Sequence, residues 1–373
     1  MTTRARKMMA EGIDVISFAA GEPDFNSPEA ANEAAKKAID AGLTKYAPSR
    51  GLPALSEAVI EKCARENGLT VSSDQIVVSC GAKHSLYNTM MVLAGPGDEV
   101  VVFAPYWMTY VDQIRLTGAT PVVVHTGIET GYVPTPEQIE AAITPRTKAM
   151  VINSPSNPTG GAWPVETLKR AGELAVKHGF WIISDEIYER LTYGYEHVSI
   201  ASLDKSIAEQ TVTILGCSKT YAMTGWRIGF AVAPKPVASA MSNLQDQVTS
   251  NATTFAQAGA VAALRLPPSE VESMRAEFEA RKNLGVGLLR AIPGVQLADP
   301  KGAFYFFADF SHYIGGKIPD DLALAEHLLA TAHVATVPGS VFEGPGHLRL
   351  SYATSRKDIE TGIARIAEAL AQI

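Results

Sequence analysis

The strongest constraint on the fold is a regular alternation of short apolar runs and longer helical stretches between residues 75 and 235. Several runs are apolar throughout, which is typical of strands that are buried on both faces of a sheet. The alternation predicts an α/β domain with a mostly parallel, seven-stranded sheet. The predicted strands are Gln75–Cys80, Glu99–Ala104, Thr120–His125, Lys148–Asn153, Phe180–Ser184, Val212–Gly216 and Arg227–Ala233.

The last two of these strands are expected to differ in direction. Only residues 217–226 separate them, which is too few for an ordinary helical crossover between parallel strands. One of the two strands is therefore expected to run antiparallel to its neighbours.

Beyond Pro234 the regular alternation stops. One long helix is predicted over 237–266, ended by two consecutive prolines, and a second helix over 269–291. Short strands and helices are mixed in the remainder, which predicts a smaller α+β domain. We therefore expect an N-terminal segment (1–28) that packs with the small domain, a large domain (29–266) and a small C-terminal domain (267–373).

Composition and charge exclude several classes of protein. Apolar residues make up 46% of the 373 residues and charged residues 19%, which excludes a disordered chain, a coiled coil and a collagen-like fibre. The net charge of −7 argues against a nucleic-acid or anionic-membrane partner. The N-terminus lacks a signal-peptide pattern, and no run reaches the roughly 18 apolar residues of a membrane helix. Three cysteines without a CxxC pair suit a reducing cytoplasm.

Ligands of open parallel sheets bind beyond the carboxyl ends of the strands, so the residues that follow each strand are informative. Gly81 and Ala82 follow the first strand and open a helix, where free backbone N–H groups and the helix dipole favour a phosphate. Lys83 in the first helical turn is unfavourable unless an anion lies nearby. The alternative is an ordinary strand-to-helix turn.

Two further strands are followed by groups that could orient a planar ligand. Trp107 comes after the strand at 99–104 and could stack on a ring, although a core aromatic is the alternative. Asn157 lies in a loop at 154–160 that two prolines and a glycine make rigid, and its amide could face a ligand. A plain turn is the alternative there.

The strands at 180–184 and 212–216 are followed by an acid and an amine. Asp185 would be costly to bury alone, so it needs an N–H or cationic partner, either a residue or a protonated heterocycle. Lys219 at a buried strand end could lose its proton and become a nucleophilic amine, whereas a surface lysine is the alternative. A phosphate turn, a stacking ring, a buried acid and an amine together are what a pyridoxal phosphate site requires.

Several long motifs extend this interpretation to a family. They are Ser-Pro-x-Asn-Pro-Thr-Gly at 154–160, Ser-Asp-Glu-Ile-Tyr at 184–188, Gly-Cys-Ser-Lys at 216–219, Gly-Trp-Arg-Ile-Gly at 225–229, Ala-Gly-Glu-Pro-Asp-Phe at 20–25, Lys-Tyr-Ala-Pro at 45–48, Pro-Tyr-Trp at 105–107 and Arg-Leu-Ser-Tyr-Ala at 349–353. In this order they resemble the class I/II pyridoxal-phosphate aminotransferases of fold type I, and most of all the bacterial aspartate aminotransferases of the prokaryotic Iβ-like subgroup.

The resemblance implies a cofactor site in the large domain. Lys219 would be the Schiff-base lysine and would move a proton between the substrate α-carbon and C4′ of pyridoxal 5′-phosphate. Asp185 would keep the pyridine nitrogen protonated. Tyr188 and Asn157 would hydrogen-bond the ring oxygen O3′, and Trp107 would stack on the ring.

The resemblance also implies how the phosphate and the substrate are held. Arg349 would bind the substrate α-carboxylate beside the Gly21 backbone, in a pocket that Trp107 and Asn157 share. The phosphate ligands would be Gly81, Ala82, Ser218 and Arg227, with Lys83 beside them and Tyr46 reaching in from the neighbouring subunit of a homodimer. Lys83 would either neutralise the phosphate or bind the distal carboxylate of an acidic substrate. No metal site is expected.

Two departures from the family pattern are evident. Many relatives have a serine three residues before the Schiff-base lysine, where this chain has Gly216, so Ser218 should matter more. Relatives also usually carry an N-terminal arm before the stretch that matches residues 2–12, and the sequence given begins after it. We expect a truncated chain, a misassigned start or a dispensable arm.

The expected activity is ping-pong transfer of the α-amino group of aspartate or glutamate to a 2-oxo acid such as 2-oxoglutarate or oxaloacetate, within amino-acid metabolism. The alternatives are an aminotransferase for prephenate, aromatic or other neutral amino acids, or a pyridoxal-phosphate-dependent β- or γ-lyase. A ligand-sensing regulator with an aminotransferase-like domain would need a DNA-binding domain, for which this acidic chain has no room.

Overall fold

All seven predicted strands are present in the computed structural model, which describes residues 2–373. In chain order the strands are β1 (Ile16–Ser17), β2 (Ile76–Ser79), β3 (Glu99–Ala104), β4 (Thr120–His125), β5 (Thr147–Asn153), β6 (Trp181–Asp185), β7 (Thr211–Gly216), β8 (Gly229–Val232), β9 (Gln296–Leu297), β10 (Tyr305–Asp309), β11 (Val334–Ala335), β12 (Val337–Pro338) and β13 (His347–Ser351). Strands β2 to β8 form one sheet in the order β2-β8-β7-β6-β5-β3-β4.

The predicted sheet and its one reversed strand are confirmed. Strand β8 runs antiparallel to both β2 and β7, and the other neighbours in the sheet are parallel. Strands β2, β3, β7 and β8 are buried along their whole length, because helices cover both faces of the sheet. The chain therefore has the α/β fold that the alternation predicted.

The helices surround this sheet and a second, smaller one. In chain order they are α1 (Thr2–Ala10), α2 (Glu29–Asp40), α3 (Pro53–Lys62), α4 (Ala82–Leu93), α5 (Thr109–Leu116), α6 (Pro136–Ala141), α7 (Val165–His178), α8 (Lys205–Ala208), α9 (Lys235–Val248), α10 (Thr254–Leu264), α11 (Pro268–Arg290), α12 (Asp321–Thr331) and α13 (Arg356–Leu370).

The prediction of one continuous helix over 237–266 is wrong, because α9 ends at Val248 and α10 begins at Thr254. Ser250 in the break has a φ of 55°, outside the right-handed helical region. The Asn251 side chain accepts a hydrogen bond of 3.1 Å from the backbone N–H of Ala47. Serine, threonine and asparagine bond readily in non-helical conformations, and this long-range contact favours the break.

The C-terminal third contains the second sheet, with antiparallel strands in the order β12-β13-β10-β9. Its core is rich in aromatic side chains such as Phe278, Phe304 and Tyr352. The N-terminal segment contacts this region, since β1 pairs with β11 and Phe18 accepts a 2.8 Å hydrogen bond from the backbone of Ser351. The domain boundaries at 28 and 266 stay a prediction.

The topology brings distant segments to one edge of the large sheet. Asn153, Asp185 and Ile214 lie side by side at the carboxyl ends of β5, β6 and β7. Gly229 pairs with both Ser79 and Gly216, and a Cβ there would lie 2.2 Å from the backbone nitrogen of Ala82. A glycine is needed at this close approach of strand and helix.

Among the described residues, no helix is both long and apolar enough to cross a bilayer.

Candidate active site

A cavity of about 410 Å³ opens at this edge of the sheet, between the two sheets. It is lined by side chains from both halves of the chain, including β6, the loops after β3, β5 and β7, and β10 and β13. Eleven of the predicted site residues line it: Gly21, Ala82, Lys83, Trp107, Asn157, Asp185, Tyr188, Ser218, Lys219, Arg227 and Arg349.

The amine of Lys219 is half-buried in this cavity. Its Nζ donates a 2.5 Å hydrogen bond to the backbone carbonyl of Gly21. The pKa of Lys219 is lowered to about 8, mainly by burial and also by the charges of Arg349 and Arg227, against the opposing effect of Glu22. A substantial neutral fraction is thus available near neutral pH, as a nucleophile or base requires.

The carboxylate of Asp185 is buried in the wall of the same cavity. Tyr110 donates a 2.6 Å hydrogen bond to Oδ2, and the backbone N–H of Ile187 donates one of 3.2 Å to Oδ1. Burial raises the pKa of Asp185 to about 6, although these hydrogen bonds act in the opposite direction. Among residues 2–373, no cation forms an ion pair with this carboxylate, so it suits a cationic ligand atom.

Gly81 and Arg227 form the predicted phosphate turn. Gly81 caps α4 with a φ of 87°, and a Cβ there would lie 2.4 Å from Nη2 of Arg227. Arg227 itself has a φ of 57°, and its guanidinium donates to the backbone carbonyls of Thr224 (2.8 Å) and Cys80 (3.3 Å). With the N-terminus of α4 and the buried Ser218 beside it, this turn is built for an anion.

Arg349 is buried on the other wall of the cavity. Its Nη1 donates to Oδ1 of Asn157 (2.9 Å) and its Nη2 to the backbone carbonyl of Ala19 (3.3 Å). The guanidinium carbon of Arg349 lies 4.5 and 4.9 Å from the ring centroids of Tyr305 and Phe342. Its buried Nε has no partner among residues 2–373. An unpaired buried donor of this kind points to a bound acceptor such as a carboxylate.

Comparisons with known proteins agree with this arrangement. A family model described as aminotransferase class I and II matches residues 13–366. The chain belongs to the class I and II aminotransferases. It is 48% identical to an aspartate aminotransferase of Geobacillus stearothermophilus, over 98% of this chain and 94% of that protein. It is 46% identical to a probable aspartate/prephenate aminotransferase of Aquifex aeolicus, over 100% and 95%.

Solved structures of aminotransferases confirm the fold. The Thermus thermophilus aspartate aminotransferase with maleate superimposes with a TM-score of 0.94 at 43% identity, over 99% of this chain and 95% of that one. The Rhizobium meliloti aspartate aminotransferase gives a TM-score of 0.95 at 40% identity, over 99% and 94%. The predicted family and the predicted fold type I are therefore both confirmed.

Lys83 and Trp107 lie together at the mouth of the aminotransferase cavity. The Nζ of Lys83 is 4.8 Å from the centroid of the Trp107 ring. The Trp107 ring packs edge-on against Tyr110, with centroids 5.5 Å apart and an interplanar angle of 89°. Lys83 is exposed, so its charge is free to meet a ligand that enters the cavity.

Tyr46 is the one predicted residue that lies far from the cavity. Its side chain is 92% exposed and borders a separate shallow groove with Thr249, Asn251 and Phe255. Tyr46 does not line the cavity of its own chain, and its role in a partner's site stays a prediction.

Ten residues that line the cavity were not predicted as site residues, and five of them have polar or aromatic side chains: Tyr110, Asn153, Thr224, Tyr305 and Phe342. Tyr110 follows Trp107 by three residues at the start of α5, a spacing that could have placed it on the same side of the chain. Asn153 ends β5, and its side chain accepts from the backbone N–H of Asn157 (2.9 Å). The position of Asn153 at a strand end is visible in the sequence, whereas the contact of Tyr110 with Asp185 is not.

Proposed function

We propose that this aminotransferase moves the α-amino group of an acidic amino acid, aspartate or glutamate, to a 2-oxo acid by a ping-pong reaction that uses pyridoxal 5′-phosphate. The observation that carries the proposal is the position of Lys219 and Asp185 in one cavity with Arg349. The relatives named aspartate aminotransferases support the substrate.

The residues of the cavity fit pyridoxal phosphate on three independent grounds. The buried Asp185 has two hydrogen-bond donors and no cation, so a protonated pyridine nitrogen would complete it. The turn at Gly81 has a φ of 87° that favours glycine, and it presents N–H groups at the start of α4, which suits a phosphate. The amine of Lys219 is poised for covalent attachment because its pKa is lowered to about 8.

Each residue then has a distinct role. Pyridoxal phosphate, when bound, supplies an electron-withdrawing ring that stabilises negative charge on the substrate α-carbon. The buried Asp185 would hold the proton on the ring nitrogen. Lys219 would be the base that takes the proton from the substrate α-carbon and the acid that delivers one to the cofactor carbon C4′. Tyr188 and Asn157 orient the ring through its O3′ oxygen, and Trp107 covers the ring.

The substrate is held by two cations at opposite ends. Arg349 binds the α-carboxylate in a bidentate fork, and its orientation is fixed by Asn157 and by the aromatic rings on both faces. Lys83 binds the distal carboxylate of an acidic substrate from the mouth of the cavity. Ser218, Arg227 and the turn at Gly81 and Ala82 hold the phosphate.

Prephenate is a second candidate amino acceptor. Relatives from Aquifex aeolicus and Cereibacter sphaeroides are named probable aspartate/prephenate and aspartate/prephenate aminotransferases, at 46% and 44% identity. Prephenate also carries two carboxylates, so the pair formed by Arg349 and Lys83 would suit it as well.

The active form is a cytoplasmic homodimer with shared sites. Tyr46 is almost fully exposed on a loop next to a groove that contains Phe255, and large exposed aromatic side chains are typical of interfaces. In the dimer, Tyr46 reaches the phosphate in the partner's cavity. The three cysteines are all free, which agrees with a reducing compartment.

A panel of amino donors and 2-oxo acceptors tests this function. Purified protein loaded with pyridoxal phosphate is mixed with each donor alone, and the cofactor absorbance is followed. Aspartate or glutamate should convert the cofactor to its amine form in a single half-reaction, and an added 2-oxo acid should reverse the change. Release of ammonia without any need for a 2-oxo acid would instead identify a lyase.

A further inference from the structure

The hydroxyl groups of Tyr188 and Tyr305 face each other in the cavity at an oxygen–oxygen distance of 3.0 Å. Tyr188 follows β6 of the large sheet and Tyr305 begins β10 of the small one, so the pair connects the two sheets. Both side chains are buried, and their rings meet edge-on with centroids 6.0 Å apart. The Tyr305 ring contacts Arg349, but its hydroxyl has no role in the proposed binding of the substrate or cofactor.

The two hydroxyls carry two protons, and only one proton can lie between the two oxygens. Burial raises the pKa of both tyrosines, so both are neutral near neutral pH. Neither hydroxyl has another hydrogen-bond partner among residues 2–373. One proton is therefore left to point into the cavity, towards an acceptor that a ligand must supply.

The surroundings of Tyr305 indicate which hydroxyl faces the ligand. The guanidinium of Arg349 covers its ring at 4.5 Å. A Cβ built on Gly21 would be in ordinary van der Waals contact with the Tyr305 hydroxyl, at 3.5 Å. Gly21 and Arg349 are the groups assigned to the substrate carboxylate, whereas Tyr188 follows Asp185, which is assigned to the cofactor ring. Tyr188 is therefore the hydroxyl on the cofactor side, so its proton is left for the ligand and Tyr305 is the donor to Tyr188.

We propose that Tyr305 is a positioning residue that acts on the cofactor through Tyr188, an inference that rests on the proposed function. Tyr305 donates to Tyr188, and Tyr188 donates to the ring oxygen of pyridoxal phosphate. Hydrogen bonds in such a chain polarise and strengthen one another. In the loaded enzyme, the nitrogen that joins Lys219 to the cofactor would share its proton with the ring oxygen. A stronger hydrogen-bond donor to the ring oxygen would weaken this sharing. The pKa of the nitrogen would therefore fall.

The test is a spectrophotometric pH titration of the cofactor absorbance in the loaded enzyme, without substrate. Tyr305→Phe removes the hydroxyl and keeps the ring against Arg349. We expect the apparent pKa of the absorbance change to rise by up to about one unit. Tyr188→Phe should raise it further. The double variant should not exceed Tyr188→Phe alone, because Tyr305 acts only through Tyr188.

Tyr352→Phe is the matched control, because it also removes a buried hydroxyl. The Tyr352 hydroxyl lies outside the cavity, next to β13, and donates a 3.2 Å hydrogen bond to the Ala303 carbonyl. Its titration should match that of the wild type. An unchanged pKa in Tyr305→Phe, or additive shifts in the double variant, would overturn the inference. A raised KM for the amino acid without any spectral shift would also overturn it, since Tyr305 would then contact the substrate. A wild-type protein that gives no cofactor absorbance would overturn the proposed function itself.

Discussion

Tyr110 donates a 2.6 Å hydrogen bond to the carboxylate of Asp185, although 75 residues separate the two in the sequence. Tyr110 is on α5 and Asp185 ends β6, so the contact exists only because α5 covers the carboxyl ends of the parallel strands. The hydrogen bond lowers the pKa of Asp185, whereas burial raises it to about 6. The balance of these two effects sets how much of Asp185 is ionised near neutral pH.

Replacing Tyr110 with phenylalanine should weaken the binding of pyridoxal phosphate by about tenfold near neutral pH. The loss of the donor raises the pKa of Asp185 further above 6. Below that pKa the carboxyl group is protonated, so it is unable to pair with a pyridinium nitrogen. The defect should therefore shrink as the pH rises to about 8. Equilibrium titration of the apoenzyme with pyridoxal phosphate at several pH values measures this.

Tyr193→Phe provides the control, because Tyr193 is also buried but donates to the Ala303 carbonyl away from the cavity. Its cofactor affinity should equal that of the wild type at every pH. An affinity of Tyr110→Phe that falls equally at all pH values would contradict the explanation through the pKa of Asp185.

The amine of Lys219 should react with acylating reagents at a lower pH than surface lysines do. Only the neutral amine reacts, and burial lowers the pKa of Lys219 to about 8, so its labelling in the apoenzyme should be half-maximal near pH 8. The internal reference is Lys36, whose pKa is raised by its hydrogen bond to Glu33. Competitive labelling followed by peptide mapping measures both residues in one sample. Identical profiles for the two lysines would rule out the lowered pKa.

The strands of the large sheet could be predicted because each is a short, buried, apolar run with a turn at its end. The short spacing between β7 and β8 also predicted the reversed strand correctly. The break between α9 and α10 could not be predicted from local pattern, because the contact between Asn251 and Ala47 joins residues 204 positions apart. Periodicity describes only neighbours in sequence.

The site was predictable wherever a functional group follows a strand directly, as Asp185 and Lys219 do. Tyr110 and Tyr305 were missed because their roles depend on contacts across 75 and 117 residues.

The replacement of serine by Gly216 has a local explanation in the structure. A Cβ at that position would lie 3.1 Å from Cδ1 of Ile187 and 3.2 Å from Cα of Gly229, so a larger residue would be crowded.

Replacing Lys83 with methionine should reduce kcat/KM for aspartate and glutamate by about tenfold or more, and much less for alanine and phenylalanine. Lys83 lies at the cavity mouth over Trp107, where its charge can meet a distal carboxylate. Lys177→Met, on the exposed end of α7, controls for the loss of one surface charge. If all four donors lose efficiency equally, Lys83 serves the cofactor phosphate instead of the substrate.

Mixing two impaired variants should restore activity if the sites are shared between subunits. In a heterodimer of Tyr46→Phe and Arg349→Ala chains, one cavity regains both groups, because Tyr46 comes from the partner. If the two kinds of chain pair at random, about half of the dimers are mixed. Each mixed dimer has one intact site of two, so about a quarter of wild-type activity should return. The control mixes Lys219→Ala with Arg349→Ala, which both belong to one subunit's cavity and should restore nothing. Recovery no greater than the sum of the separate variants, or a fully active monomer in sedimentation, would contradict the shared site.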